Sequence, residues 1–250
     1  GVPDVTQNTV KPGEKFTYTL SFPDAGVAWY HPHTRDDYGQ EMGLYANYLI
    51  DSNDENYWGK VNREVPLIVD DILLENNQIA DFYKDTTDHA LIGRFGNTYL
   101  VNGETDNLMK VHKGEVIRFQ ITNVSNARTY RLSIPGAQMK IVGADLGRLE
   151  QEEYKENLLM SPAERTIVEV YFPKAGLYKL MNNLPGKQVV VSQFIADDIA
   201  PEVSYVEEFN LTRRNADEKA LFDQYRRDYA SKNPDKKALF TVGLTGVVDH

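Results

Sequence analysis

Apolar and polar residues alternate with a period of two along much of this 250-residue chain. Tyr18, Leu20 and Phe22 alternate with more polar neighbours, and so do Val168, Val170 and Phe172. Each set is the pattern of a half-buried strand, and each is closed by Pro and Gly. Val65 to Leu74 reads as a strand-rich stretch, and Leu91 to Leu100 as mixed loop and strand leading to a turn at Val101-Asn102-Gly103. Lys110 to Asn123 and Ser125 to Ile134 read as further strands, the first led by Gly114. After Pro201 the texture changes. Glu202 to Asn210 is acidic and strand-like, and Asn215 to Lys232 has a cap residue, early acids, late bases and apolar residues at 221, 222, 225 and 229. That pattern predicts a short amphipathic helix stopped by Asn233-Pro234, a connector burying Leu221, Phe222 and Tyr225 on a neighbouring domain. Ala238 to Leu244 then resumes as a strand. The prediction is an all-β protein with one short linker helix.

An internal repeat organises the strands. Residues 11–26 match residues 161–176 at a constant offset of 150, with Pro12/Pro162, Glu14/Glu164, Phe22/Phe172, Pro23/Pro173, Ala25/Ala175 and Gly26/Gly176 identical. A duplicated β-domain follows, and residues 11–50 should form the same strand-turn-strand unit as 161–195. The second copy is preceded by about a hundred residues of its own, the first by ten. The first domain is therefore expected to lack its N-terminal strands, which must be supplied from elsewhere, because a half sandwich leaves unpaired edges.

Candidate chemistry concentrates between Gly26 and Ile50. His31 and His33 stand two apart among β-forming residues, so both imidazoles should leave one face roughly 6–7 Å apart, a spacing that suits two neighbouring metals better than one. Pro32 between them, with no N–H to donate, fits a strand end. The offset of 150 places Met181 and Asn183 where the first copy has its histidines, so the second copy keeps the scaffold and drops both. His89 and His112 have no partner at a ligand spacing and read as solvated or hydrogen-bonded; Arg128 reads as structural. Asp36, Asp37, Glu41 and Asp106 read as solvent-facing, with Asp36 and Asp37 close enough to His33 to be candidate proton relays.

The frame around the pair, Ala25-Gly26-x-x-Trp29-Tyr30-His31-Pro32-His33, then Gln40-x-x-Gly43-Leu44-Tyr45-Ala46 and Tyr48-Leu49-Ile50, resembles the second copper-ligand motif of the laccase-like multicopper oxidases. Asn102-Gly103, Gly114-Glu115, Phe119, Asn123 and Asn126-Ala127-Arg128 resemble that family's second cupredoxin domain, and Gly1 to Gln7 resembles the segment that follows its first copper motif. The resemblance implies cupredoxin-like Greek-key β-sandwiches. Residues 1–58 would be the C-terminal half of domain one and 63–200 a complete domain two, which carries no copper in the three-domain enzymes. Residues 201–237 would then be a linker with its helix, and 238–250 the start of a third domain. It also implies copper as cofactor, His31 and His33 as ligands to one copper each of the coupled type 3 pair, and one-electron oxidation of a reducing substrate coupled to four-electron reduction of O2 to water. A periplasmic or secreted setting comes with the resemblance. The chain alone would be incomplete, relying on missing domain segments or a complementary chain.

Composition trims the alternatives. A formal charge of −10 and no basic patch argue against nucleic-acid or anionic-membrane binding. No run approaches the roughly 18 apolar residues of a membrane span. With no cysteine there is no thiolate, so this stretch cannot build the soft site that a type 1 copper requires. Five scattered methionines form no Met-rich segment. A rival of another class stays open: a non-enzymatic cupredoxin-like module whose two histidines hold metal weakly or serve an interface.

Overall fold

A computed structural model describes residues 4–82 and 93–239 of the chain. It opens with turns and irregular backbone, with a bridge residue at Gln7, before β1 (Gly26–Tyr30), which pairs antiparallel with β2 (Ala46–Ile50) around the short helix α1 (Asp36–Glu41). Next come β3 (Arg63–Ile72), the hairpin β4 (Leu74–Glu75) and β5 (Gln78–Ile79), β6 (Thr98–Val101), β7 (Leu108–His112) and β8 (Val116–Asn123). They are followed by β9 (Tyr130–Ser133), β10 (Gln138–Ala144), β11 (Arg148–Lys155), β12 (Leu158–Met160), β13 (Arg165–Tyr171), β14 (Gly176–Leu184) and β15 (Lys187–Asp197). The helices α2 (Val206–Asn210) and α3 (Ala216–Tyr229) end the described chain.

From β3 to β15 the strands form two sheets, ordered β11-β10-β13-β8-β3-β6 and β12-β9-β14-β15-β7, with parallel pairs at β3/β8 and β15/β7 and antiparallel pairs elsewhere. Their inner faces meet over Val69, Phe119, Tyr130, Leu132, Met160, Val168, Val170, Phe172, Leu180 and Phe194, all nearly inaccessible to solvent. The expected all-β sandwich is present. Asn102 and Gly103, both at positive φ, make the turn predicted there; only such residues close a two-residue hairpin without strain.

The outer face of the six-stranded sheet positions the site. Alternation puts Ile117, Phe119 and Ile121 of β8 inward, so Arg118, Gln120 and Thr122 should be wet, yet all eight β8 residues are buried. The covering layer is residues 46–62. Trp58 lies over Arg118, and Arg118 pairs with Glu169 at 2.9 Å, with Glu64 and with the Gly59 carbonyl, while Thr122 donates to Asn47 at 3.1 Å. Buried charges of this kind persist only when paired. Gly26 locks the hairpin to the sandwich: at φ 142° it lies so close that a Cβ would meet the Asp145 carbonyl oxygen at 2.8 Å. Val27 N–H donates to that same carbonyl at 2.9 Å, and Gly147 N–H to Ala25.

Several expectations change. The turn of the repeat recurs: Gly13 and Ala163 share positive φ (85° and 69°), Gly26 and Gly176 share φ near 140° (142° and 140°), and Glu14 and Glu164 each accept the N–H three residues earlier. The strand after it does not. β13 is sandwiched between β10 and β8, whereas residues 14–22 find no ladder, leaving Phe16, Tyr18 and Leu20 about half exposed. Glu202 to Asn210 is no strand; its C-terminal part is α2, which seats Phe209 under Tyr154, Tyr171 and Lys140. Helix α3 forms as predicted, but Leu221, Phe222 and Tyr225 are 47%, 45% and 53% exposed. Its contact with β11 is ionic, through Arg148 to Asp217 and Arg226 to Glu150, and Asn215 spends its side chain on the Leu149 carbonyl instead of the helix N-terminus. His89, His250 and most of the strand expected at 238–244 lie outside the described residues.

Candidate metal centre

β1 stops at Tyr30, so His31 and His33 sit just beyond the strand end and not within it. The backbone leaves the sheet at Pro32, which draws the imidazoles together: their ring centroids are 4.6 Å apart, closer than an extended strand would set them. Trp29 stacks on the other side of His31 at 4.5 Å. His31 is half-buried and His33 exposed, and both line one cleft of about 840 Å³ with Tyr18, Leu20, Phe22, Trp29 and Tyr45.

Each ring has one nitrogen occupied by oxygen. His31 Nδ1 lies 3.2 Å from the Pro32 carbonyl and His33 Nδ1 3.3 Å from Asp36 Oδ2. Both partners are acceptors, so the tautomer that suits each contact carries its proton on Nδ1 and presents Nε2 as the lone-pair nitrogen. Ligating histidines are oriented in this way, with the remote N–H given to a carbonyl or carboxylate. Asp36 reaches back because Arg35, at φ 57°, reverses the chain abruptly before α1. Asp37 instead pairs with Arg35; burial works to raise its pKa, but the hydrogen bond and charge of Arg35 prevail and hold it below the ordinary value.

Two imidazoles suit copper in donor type, and two Nε2 atoms are a partial set. Among the described residues no group of three or more His, Cys, Asp or Glu side chains is placed to hold a metal ion. His112 pairs with Asp197 at 2.8 Å, as expected of a hydrogen-bonded histidine, and Asp106 is exposed.

Beneath the cleft lies a buried acidic cluster that sequence reading missed. Glu41, expected in solvent, is 5% exposed: it receives a two-pronged contact from Arg94 and the Leu73 N–H at 2.8 Å. Asp71 takes Arg128 at 2.7 Å, which makes Arg128 a buried anchor. Asp70 accepts Tyr45 Oη at 2.9 Å and the Asp71 N–H at 2.8 Å, and burial pushes its carboxyl up to about 7. Burial, then the charge of Asp70, raises the Tyr45 phenol in turn. The available signal was the pair of acids set within the apolar run Leu67 to Leu74.

Family models described as multicopper oxidase match residues 1–55 and 64–196. The chain is 30% identical over 175 residues to the cell division protein FtsP of Photorhabdus laumondii, covering 66% of this chain and 36% of that one. It is 29% identical over 173 residues to the multicopper oxidase mco of Staphylococcus haemolyticus, covering 66% and 37%. Among solved structures, a multi-copper oxidase from Pseudomonas thermotolerans superposes with a TM-score of 0.70 at 27% identity, covering 81% of this chain and 49% of that one. The chain thus spans a little over a third of these curated relatives. Sandwich, strand-end histidines and matched models agree: this chain belongs to the multicopper oxidase family, whose cofactor is copper.

Proposed function

We propose that the chain is part of a laccase-like enzyme that couples one-electron oxidation of a reducing substrate to four-electron reduction of O2 to water. The observation that carries the reading is the paired imidazoles, rings 4.6 Å apart and Nε2 atoms free, at the mouth of one cleft. His31 and His33 would hold one type 3 copper each. Copper, when bound, supplies the one-electron redox couple between reducing substrate and O2. The chain's own residues orient and shield. The Pro32 carbonyl and Asp36 fix the two tautomers, and Trp29 pins the His31 ring.

Residues 1–58 are read as part of a first cupredoxin-like domain, 63–200 as the second, 201–237 as a linker and 238–250 as the start of a third. Strands and ligands from outside these residues would cover Phe16, Tyr18 and Leu20 and complete the donor set. A periplasmic or secreted location accompanies this reading; among the described residues no helix is long and apolar enough to cross a membrane.

A second reading, a non-enzymatic module, draws support from the similarity to a protein named for cell division. Copper analysis with oxygen-uptake kinetics on the natural full-length protein separates the two. In the oxidase, His31→Ala and His33→Ala each abolish O2 reduction and lower the copper content. Unchanged turnover in both variants, or no oxygen uptake by the wild type, would overturn the assignment.

A further inference from the structure

We infer that Asp70 is a proton-holding residue for the histidine cleft, exchanging its proton with that cleft through the phenol of Tyr45. The inference deepens the oxidase reading and rests on it for the use of the proton, but not for its presence.

Three carboxyls, Glu41, Asp70 and Asp71, are each no more than 5% exposed. Two guanidiniums face them, and both are engaged: Arg94 by Glu41 and Arg128 by Asp71. Among the described residues Asp70 receives only neutral donors, the Tyr45 hydroxyl and the Asp71 N–H. The charges of Asp71 and Asp70 in turn help burial to raise the phenol of Tyr130, which is hydrogen-bonded to Ser125. A third negative charge without a cation of its own, in a site closed to water, is relieved most simply by a proton. Burial accordingly moves the Asp70 carboxyl to about 7, with the Tyr45 hydrogen bond and the Asp71 N–H pulling down and Asp71 and Glu41 pushing up.

Tyr45 lines the cleft that holds His31 and His33, and its Oη is 2.9 Å from Asp70 Oδ2. One phenol therefore separates a buried acid from the cleft. Reducing O2 without added protons produces hydroxide. When hydroxide forms in the cleft, the Tyr45 O–H bond breaks toward it as the Asp70 O–H bond breaks toward Tyr45 Oη. Hydroxide becomes water, Tyr45 is restored and Asp70 becomes a carboxylate. At rest an acid from bulk solvent, hydronium or protonated buffer entering the cleft, gives a proton to Tyr45 Oη as the phenol gives its own to the Asp70 carboxylate, so the pair is a proton reservoir refilled by the same route. No electron moves in this step.

The test uses the natural full-length protein. Infrared difference spectra across pH 5 to 9 on the metal-free form should show a protonated carboxyl band that disappears with a midpoint near 7 and is absent in Asp70→Asn. In Tyr45→Phe the midpoint should rise, because the phenol's hydrogen bond favours the carboxylate. With copper loaded, Asp70→Asn should keep wild-type copper content and lose the step near pH 7 from its rate profile, with kcat about tenfold lower at pH 8. A merely structural Asp70 moves neither midpoint nor profile. Absence of a carboxyl titrating between pH 5.5 and 8.5 overturns the inference, as does a Tyr45→Phe midpoint that does not move. An inert copper-loaded wild type with an intact titration would instead count against the oxidase reading.

Discussion

Gly39 has no room for a side chain, because a Cβ there would sit 2.7 Å from Cγ of Pro32, the residue between the two histidines. Helix α1 packs on the His-Pro-His corner through that gap. Gly39→Ala should therefore displace both imidazoles and destabilise the protein by about 1–3 kcal/mol, as overpacking does; denaturant unfolding and imidazole NMR shifts check both. Wild-type stability with unmoved histidine signals would refute the contact. Asp70 makes a pH prediction. Its folded pKa lies above the ordinary value of 3.8, so between about pH 4 and 7 the folded state holds a proton that the unfolded state has lost. Stability from this group falls as pH rises through that window and is flat above it. Relative to wild type, Asp70→Asn should gain stability on the order of 3–4 kcal/mol between pH 4 and pH 8, at 1.36 kcal/mol per pKa unit. Urea titrations of both proteins at the two pH values measure it. At this scale the sequence was legible where chemistry is local: His31, His33 and the strand-ending Pro32 stand in one motif. Glu41 was not, because it lies in a polar stretch while its partner Arg94 comes 53 residues later, and only the tertiary fold brings them together.

At the scale of elements, alternation located strands well and interfaces poorly. β8 reads as half-buried, yet both of its faces are covered, since a hairpin and linker distant in sequence close over Arg118 and Thr122. The repeat was legible down to its turn, because that turn is held by local bonds from Glu14 and Glu164. The strand after it needs neighbours: β13 has β8 and β10, and residues 14–22 have no counterpart of either among the described residues. Helix α3 shows the limit of periodicity. The periodic pattern placed its residues, but an apolar stripe does not say what lies opposite, and this one faces water while ion pairs hold the other side. Replacing Leu221 and Phe222 together by Ser should thus change the stability of the 250-residue chain by less than about 1 kcal/mol, the range of exposed substitutions. A loss of several kcal/mol in thermal unfolding would mean that the stripe is covered.

At the scale of the molecule, a two-sheet sandwich carries the hairpin that ends in the two histidines. The pair is mounted on a hairpin pressed against that sandwich by Gly26, Glu41 and Tyr45, and the first repeat supplies one wall of the cleft through Tyr18, Leu20 and Phe22. Sequence resemblance reached the family because its motifs are contiguous. It did not reach the acidic cluster under the cleft, whose members come from four separate stretches of chain. The claim that joins these levels is that His31 and His33 each hold a different copper. An anomalous difference map at the copper absorption edge, from crystals of the copper-loaded full-length protein, tests it most directly. The account predicts two separate peaks, one at Nε2 of His31 and one at Nε2 of His33. No peak at either imidazole, or a single peak shared by both, would contradict it.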